Sequence, residues 1–109
     1  MKATDDLKAQ AIDLKTFIDY SKGSVVSKTL VDKKAGTLTL FSFDEGQGLS
    51  EHTAPYDAVV QIIEGTAELT IGGQPVKPSE GQLVIMPANV PHAVHAVTRF
   101  KMLLIMIRS

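Results

Sequence analysis

The sequence predicts an all-β fold, a small antiparallel barrel or sandwich with one short helical turn near its start. Three observations predict it. Apolar residues alternate at period two in short runs; glycine-, proline- and aspartate-rich turns separate the runs at close spacing; and helical spacing is confined to one segment. A chain of 109 residues is expected to form one domain over residues 1–109, since domains usually take ~100–200 residues.

The elements follow in order. Residues 1–12 read as an arm. Residues 13–20 suit a short helix, with Leu14, Phe17 and Ile18 at i, i+3 and i+4. Residues 24–31 are rich in Val, Thr and Leu and read as a strand, and the stretch Asp-Lys-Lys-Ala-Gly ending at Gly36 reads as a hairpin turn. Strand 37–43 follows, then a loop over 44–48. Strand 49–54 is closed by Pro55, and strand 57–64 by Gly65. Ala67, Leu69 and Ile71 share one face of the next strand, and Gly72-Gly73 offers the positive φ angles of a two-residue hairpin. A turn at 78–81 leads into strand 82–86. The Pro-Ala-Asn-Val-Pro stretch at 87–91 must be a loop, because two prolines remove two backbone donors. Strands at 92–97 and 100–107 complete the set. An immunoglobulin-like sandwich fits this pattern less well, since the chain has neither tryptophan nor cysteine.

Composition excludes several function classes. Lys plus Arg is 11 and Asp plus Glu is 12, a net charge of −1. That balance offers no general attraction for nucleic acid or an anionic membrane. The absence of cysteine removes disulfides, thiol catalysis and zinc–thiolate sites. The start, MKATDDLKAQ, lacks the apolar core of a signal peptide. The longest apolar run, 102–107, falls far below the ~20 residues of a membrane helix. A cytoplasmic protein is expected. Two decoys carry no chemistry: Gly46-x-Gly48 continues into a strand where a dinucleotide site needs a helix, and Ser50 lies near His52 without a nucleophile elbow.

Three histidines carry the chemical information: His52, His92 and His95. Gly46 is followed after five residues by His52, then Pro55, then Gly65. Gly81 leads after five residues to Pro87, then His92. These two stretches, about 46–65 and 81–96, resemble the two motifs of the cupin family. The resemblance implies a jelly-roll β-barrel and places His52 and His92 at metal-ligand positions. It also marks departures. Ala54 stands at the second histidine of the first motif and Ala58 at its glutamate. Asn89 replaces a glycine of the second motif, and Ala96 its asparagine. Two of the four ligand positions have lost their donor atoms.

Zinc normally asks for at least three protein ligands. His52 and His92 supply two. Asp57, one place before the glutamate position, is a candidate third if a bulge turns it inward, and Gln61 a poorer one with only an amide oxygen. One divalent ion (Zn, Fe, Mn or Ni) or none is therefore expected. His95 lies three residues after His92 and so points to the opposite face of a strand. Expected pocket residues are Phe41, Phe43, Val60, Ile62, Met86 and Met106, with Tyr56 at the rim. Two alanines where polar ligands usually stand leave volume for a small organic molecule.

The unbroken apolar run 102–107 implies that both faces of the last strand are covered. One face looks into the barrel; the other is covered by a second copy, making a homodimer, or by the chain's first twenty residues. The functional expectation is a barrel with a small-molecule pocket and a degenerate metal site, ligand-binding or sensory. The competing readings are a metal-dependent enzyme of dioxygenase, isomerase or decarboxylase type, and a metal-free enzyme using a histidine as general base.

Overall fold

Nine strands and one helical turn are arranged as two facing antiparallel sheets in a computed structural model that describes residues 7–108. The helix α1 (Leu14–Phe17) precedes β1 (Val25–Lys33), β2 (Gly36–Phe43), β3 (Gly48–His52), β4 (Asp57–Glu64), β5 (Glu68–Ile71), β6 (Gln74–Val76), β7 (Leu83–Met86), β8 (His92–His95) and β9 (Phe100–Ile107). One sheet runs in the order β1-β2-β9-β4-β7 and the other β3-β8-β5-β6. This is the expected all-β barrel.

Alternation assigns each strand its inner face. On β4, Ala58, Val60 and Ile62 are buried while their neighbours are not. They meet Phe43, Phe100 and Met102 of the same sheet, Leu69 and Val94 of the other, and Ala67 and Ala96 beside its strand ends in one core. Phe43 and Phe100 are cross-strand partners, and their rings stack with centroids 4.6 Å apart and planes at 6°. Burying two such rings contributes several kcal/mol, because each removes ~150–250 Å² of apolar area from water.

Two turns show local sequence acting directly. Gly72 and Gly73 have φ of 56° and 82°, the paired positive values of a type I′ hairpin, and they join β5 to β6. The hairpin is as expected, and the short second strand, with Pro75 at its centre, is additional to the eight expected strands. Pro75 is tolerated since β6 lies at the sheet edge.

The helix is shorter than the expected 13–20. Asp13 caps it, its side chain accepting from the Lys15 backbone N–H at 3.2 Å, and the chain is already extended at Ile18. Ile18 is driven instead into a second apolar cluster on the outer face of the five-stranded sheet. It packs there with Leu30, Leu40 and Leu103, and with Leu14 and Phe17 alongside. The N-terminal segment thus covers part of the outer face of β9. Further along that face the cover stops, and Leu83, Ile85 and Ile107 are about half exposed.

Candidate functional site

His52 and His92 are direct register partners on β3 and β8. Their Nε2 atoms stand 3.1 Å apart, with ring centroids at 4.3 Å and planes at 72°. His92 is buried and His52 is exposed at the rim.

The local backbone explains how His52 comes to face inward. Between the pairs Leu49↔Val94 and His52↔His92, β3 advances three residues while β8 advances two. Ser50 and Glu51 therefore oppose a single residue, which is a β-bulge. Without it, Leu49 and His52 would lie on opposite faces; with it, both line the same cavity. The bulge also turns the Ser50 carbonyl back toward the ring, where it accepts from His52 Nδ1 at 2.7 Å. His92 Nδ1 donates likewise to the Val90 carbonyl at 3.2 Å.

The loop leading to His92 is fastened to the segment that follows His52 and to the start of β4. The Asn89 backbone N–H donates to the Ala54 carbonyl at 2.8 Å, and the Ala88 N–H donates to Asp57 Oδ1 at 2.9 Å. Asn89 has φ of 65°, the left-handed region that glycine usually occupies and asparagine tolerates. The departure from the second motif at this position thus preserves the turn.

Carbonyl oxygens only accept, so each Nδ1 carries a hydrogen. In a neutral ring the other nitrogen is then bare. With both rings neutral, two lone pairs face each other at 3.1 Å; the contact turns attractive only when a cation joins it. Burial and the neighbouring His52 ring hold His92 below the ordinary imidazole value, with the Val90 carbonyl acting in the opposite direction.

Behind the pair lies a cavity of about 190 Å³, lined by both histidines and by Leu49, Ala54, Ala58, Met86, Val94, Met102, Leu104 and Met106. Of the expected pocket residues, Met86 and Met106 line it. Phe43, Val60 and Ile62 do point inward but are fully buried, filling the other part of the barrel as core. Phe41 packs against that core, and Tyr56 is outside the lining. For the four strand residues the expectation is corrected because parity settles a residue's face, not its height along the barrel; Tyr56 lies in the loop between β3 and β4. Ala54 and Ala58, which the sequence marks as leaving volume at lost donor positions, line it too; Leu49, Val94, Met102 and Leu104 were missed. Met102 and Leu104 could have been named from their period-two spacing with Met106. Leu49 could not, since only the bulge puts it there.

Asp57 and Gln61 do not join the histidines. The Asp57 carboxylate is occupied by the Ala88 N–H. Gln61 sits on the outward row of β4, in register with Leu83 and Leu103. His95 is exposed, away from the cavity. Among the described residues no group of three or more His, Asp or Glu side chains is placed to hold a metal ion. No helix among them is long and apolar enough to cross a membrane.

A family model described as "Cupin domain" matches residues 39–108. The chain belongs to the cupin family. A conserved protein of unknown function, SPY1581 from Streptococcus pyogenes, has 39% identity over 93% of this chain and 89% of its own, with a TM-score of 0.88. A cupin 2 conserved barrel domain protein from Leptotrichia buccalis has 40% identity over 83% of this chain and a TM-score of 0.80; the match spans 44% of that longer chain. A cupin superfamily protein from Desulfitobacterium hafniense has 27% identity over 94% of both chains and a TM-score of 0.87. No curated protein matches this chain. Cupins often bind a divalent metal ion. The donors of this cupin do not fit one, because two imidazoles without a third histidine or carboxylate fall short of the usual set.

Proposed function

We propose that this cupin is a ligand-binding or sensory protein that holds a small organic molecule in its barrel. The observation that carries the reading is the convergence of two imidazole Nε2 atoms on an otherwise apolar cavity of about 190 Å³. An apolar cavity of ~150 Å³ is enough to take benzene. The chemistry suits a single ring or short chain with an acidic or hydrogen-donating head. The apolar body would rest on Leu104, Val94 and the methionines, and the head would donate to an imidazole. Metal-dependent catalysis of dioxygenase, isomerase or decarboxylase type is less well supported, since the site lacks the third hard donor.

In this reading the protein acts in the cytoplasm as a homodimer. The uncovered apolar row Leu83, Ile85 and Ile107 supports the second copy, and Ile85→Lys is expected to shift sedimentation from dimer to monomer.

Thermal melting with phenol and benzoic acid series tests the ligand reading. A rise in Tm that grows with ligand concentration, and that vanishes in His92→Ala, is expected. No stabilisation by any apolar acid or phenol of ring size would sink it.

A further inference from the structure

The mismatch between this site and a divalent ion has a direction. Carboxylate and third-histidine donors are missing, but the cavity is not without metal-binding atoms. Three of the four methionines in the chain, Met86, Met102 and Met106, line it together with the two histidines. Ala58, which stands at the glutamate position of the first motif, is paired in register with Met86 on one side and Met106 on the other. A hard oxygen has gone from this row, and a thioether flanks the vacancy on each neighbouring strand. Thioether is a soft donor and imidazole suits copper as well, so a set with no carboxylate or carbonyl oxygen favours copper(I) over magnesium or manganese.

The geometry of the imidazoles agrees. Metal–imidazole bonds of about 2.0 Å at a tetrahedral angle put two nitrogens about 3.3 Å apart. A linear two-coordinate ion would need about 4 Å. The observed 3.1 Å is therefore near the edge of a tetrahedron and too short for a linear pair, so an ion held here takes further donors. Both Nε2 atoms are free to coordinate, because each Nδ1 is engaged by a backbone carbonyl. That carbonyl bond to the outer nitrogen is how ligating histidines are normally held in the correct tautomer.

We propose that the pocket binds one copper(I) ion through Nε2 of His52 and His92 and the sulfur atoms of Met86 and Met106. The inference shares the cavity and the two Nε2 atoms with the organic ligand and adds the two sulfur atoms, so the ion and an imidazole-bound organic head would compete for the site.

The test is anaerobic titration with copper(I) delivered from a coloured bicinchoninate complex, together with the methionine methyl spectrum by NMR. One ion per chain is expected, with the Met86 and Met106 methyl resonances shifting on binding. Met86→Leu with Met106→Leu, which conserves volume, should weaken binding at least ~10-fold, as loss of even an outer-shell partner does. His52→Gln, at an exposed position, should do the same without disturbing the fold. His95→Ala should change nothing. Sub-stoichiometric uptake, unchanged affinity in the double methionine variant, or equally tight binding of zinc(II) would each overturn the proposal. The phenol and benzoic acid melts remain a separate readout, so failure of one assignment leaves the other standing.

Discussion

Two polar clusters of this barrel are built on opposite plans. Around Tyr20, donors meet acceptors. The phenol donates to Glu64 Oε2 at 2.6 Å, and Lys101 Nζ lies 3.8 Å from the same oxygen and donates to the Lys15 carbonyl. Lys101 and Arg99 sit 4.8 and 4.6 Å from the Tyr20 ring centre, and Arg99 reaches Asp44 at 3.2 Å. Burial and Glu64 push the Tyr20 phenol well above its ordinary value, so it stays a donor. At the barrel mouth, by contrast, His52 and His92 present two acceptors to each other. The first cluster fastens the N-terminal segment across the sheet and is complete in itself. The second is complete only with something added, and that is the physical mark of a binding site.

The contrast can be broken by substitution. Lys101→Ala should be the costliest change. It removes a buried side chain and a charge-assisted hydrogen bond, for a loss of about 2–3 kcal/mol in urea denaturation. Tyr20→Phe should cost about 1 kcal/mol, since it deletes one hydrogen bond and leaves the ring and its cations in place. His52→Gln should fall within about 0.5 kcal/mol of the parent, as an exposed position outside any completed network does. A His52 variant as damaging as Lys101→Ala would show the pair to be a structural fastening like the other.

The pH dependence sharpens the same point with the smallest effect. His92 in the folded chain takes up its proton less readily than in the unfolded chain, where 6.5 is the ordinary value. Over the window below pH 6.5 the folded state therefore binds fewer protons. Stability is full above that value and falls as the pH drops through it. Melting curves from neutral pH down to about 5 should show this decline, and His92→Asn should flatten it.

Much of this was legible in the residues. Alternation, β-rich composition and turn spacing together found eight of the nine strands, and motif spacing put His52 and His92 in one pocket. What escaped was non-local. The Ser50–Glu51 bulge leaves no signature in composition, yet it decides that Leu49 lines the cavity. Phe43, Val60 and Ile62 had the right parity, but which end of a barrel is filled and which is open depends on partners such as Phe100 from the far end of the chain. The two explanations for the apolar run in β9 were framed as alternatives. The N-terminal segment covers Leu103, while the row through Ile107 and Ile85 stays open, so a single strand spans both situations.

The kink at Ser50–Glu51 has a consequence for how scaffold and chemistry are coupled. Drawing both of those residues into an uninterrupted pleat, with neither removed, would reverse the sidedness of the rest of β3. The imidazole would swing to solvent while the core between the sheets kept all its members. Binding competence in this barrel is thus set by pairing register at one point, separately from the identity of any side chain.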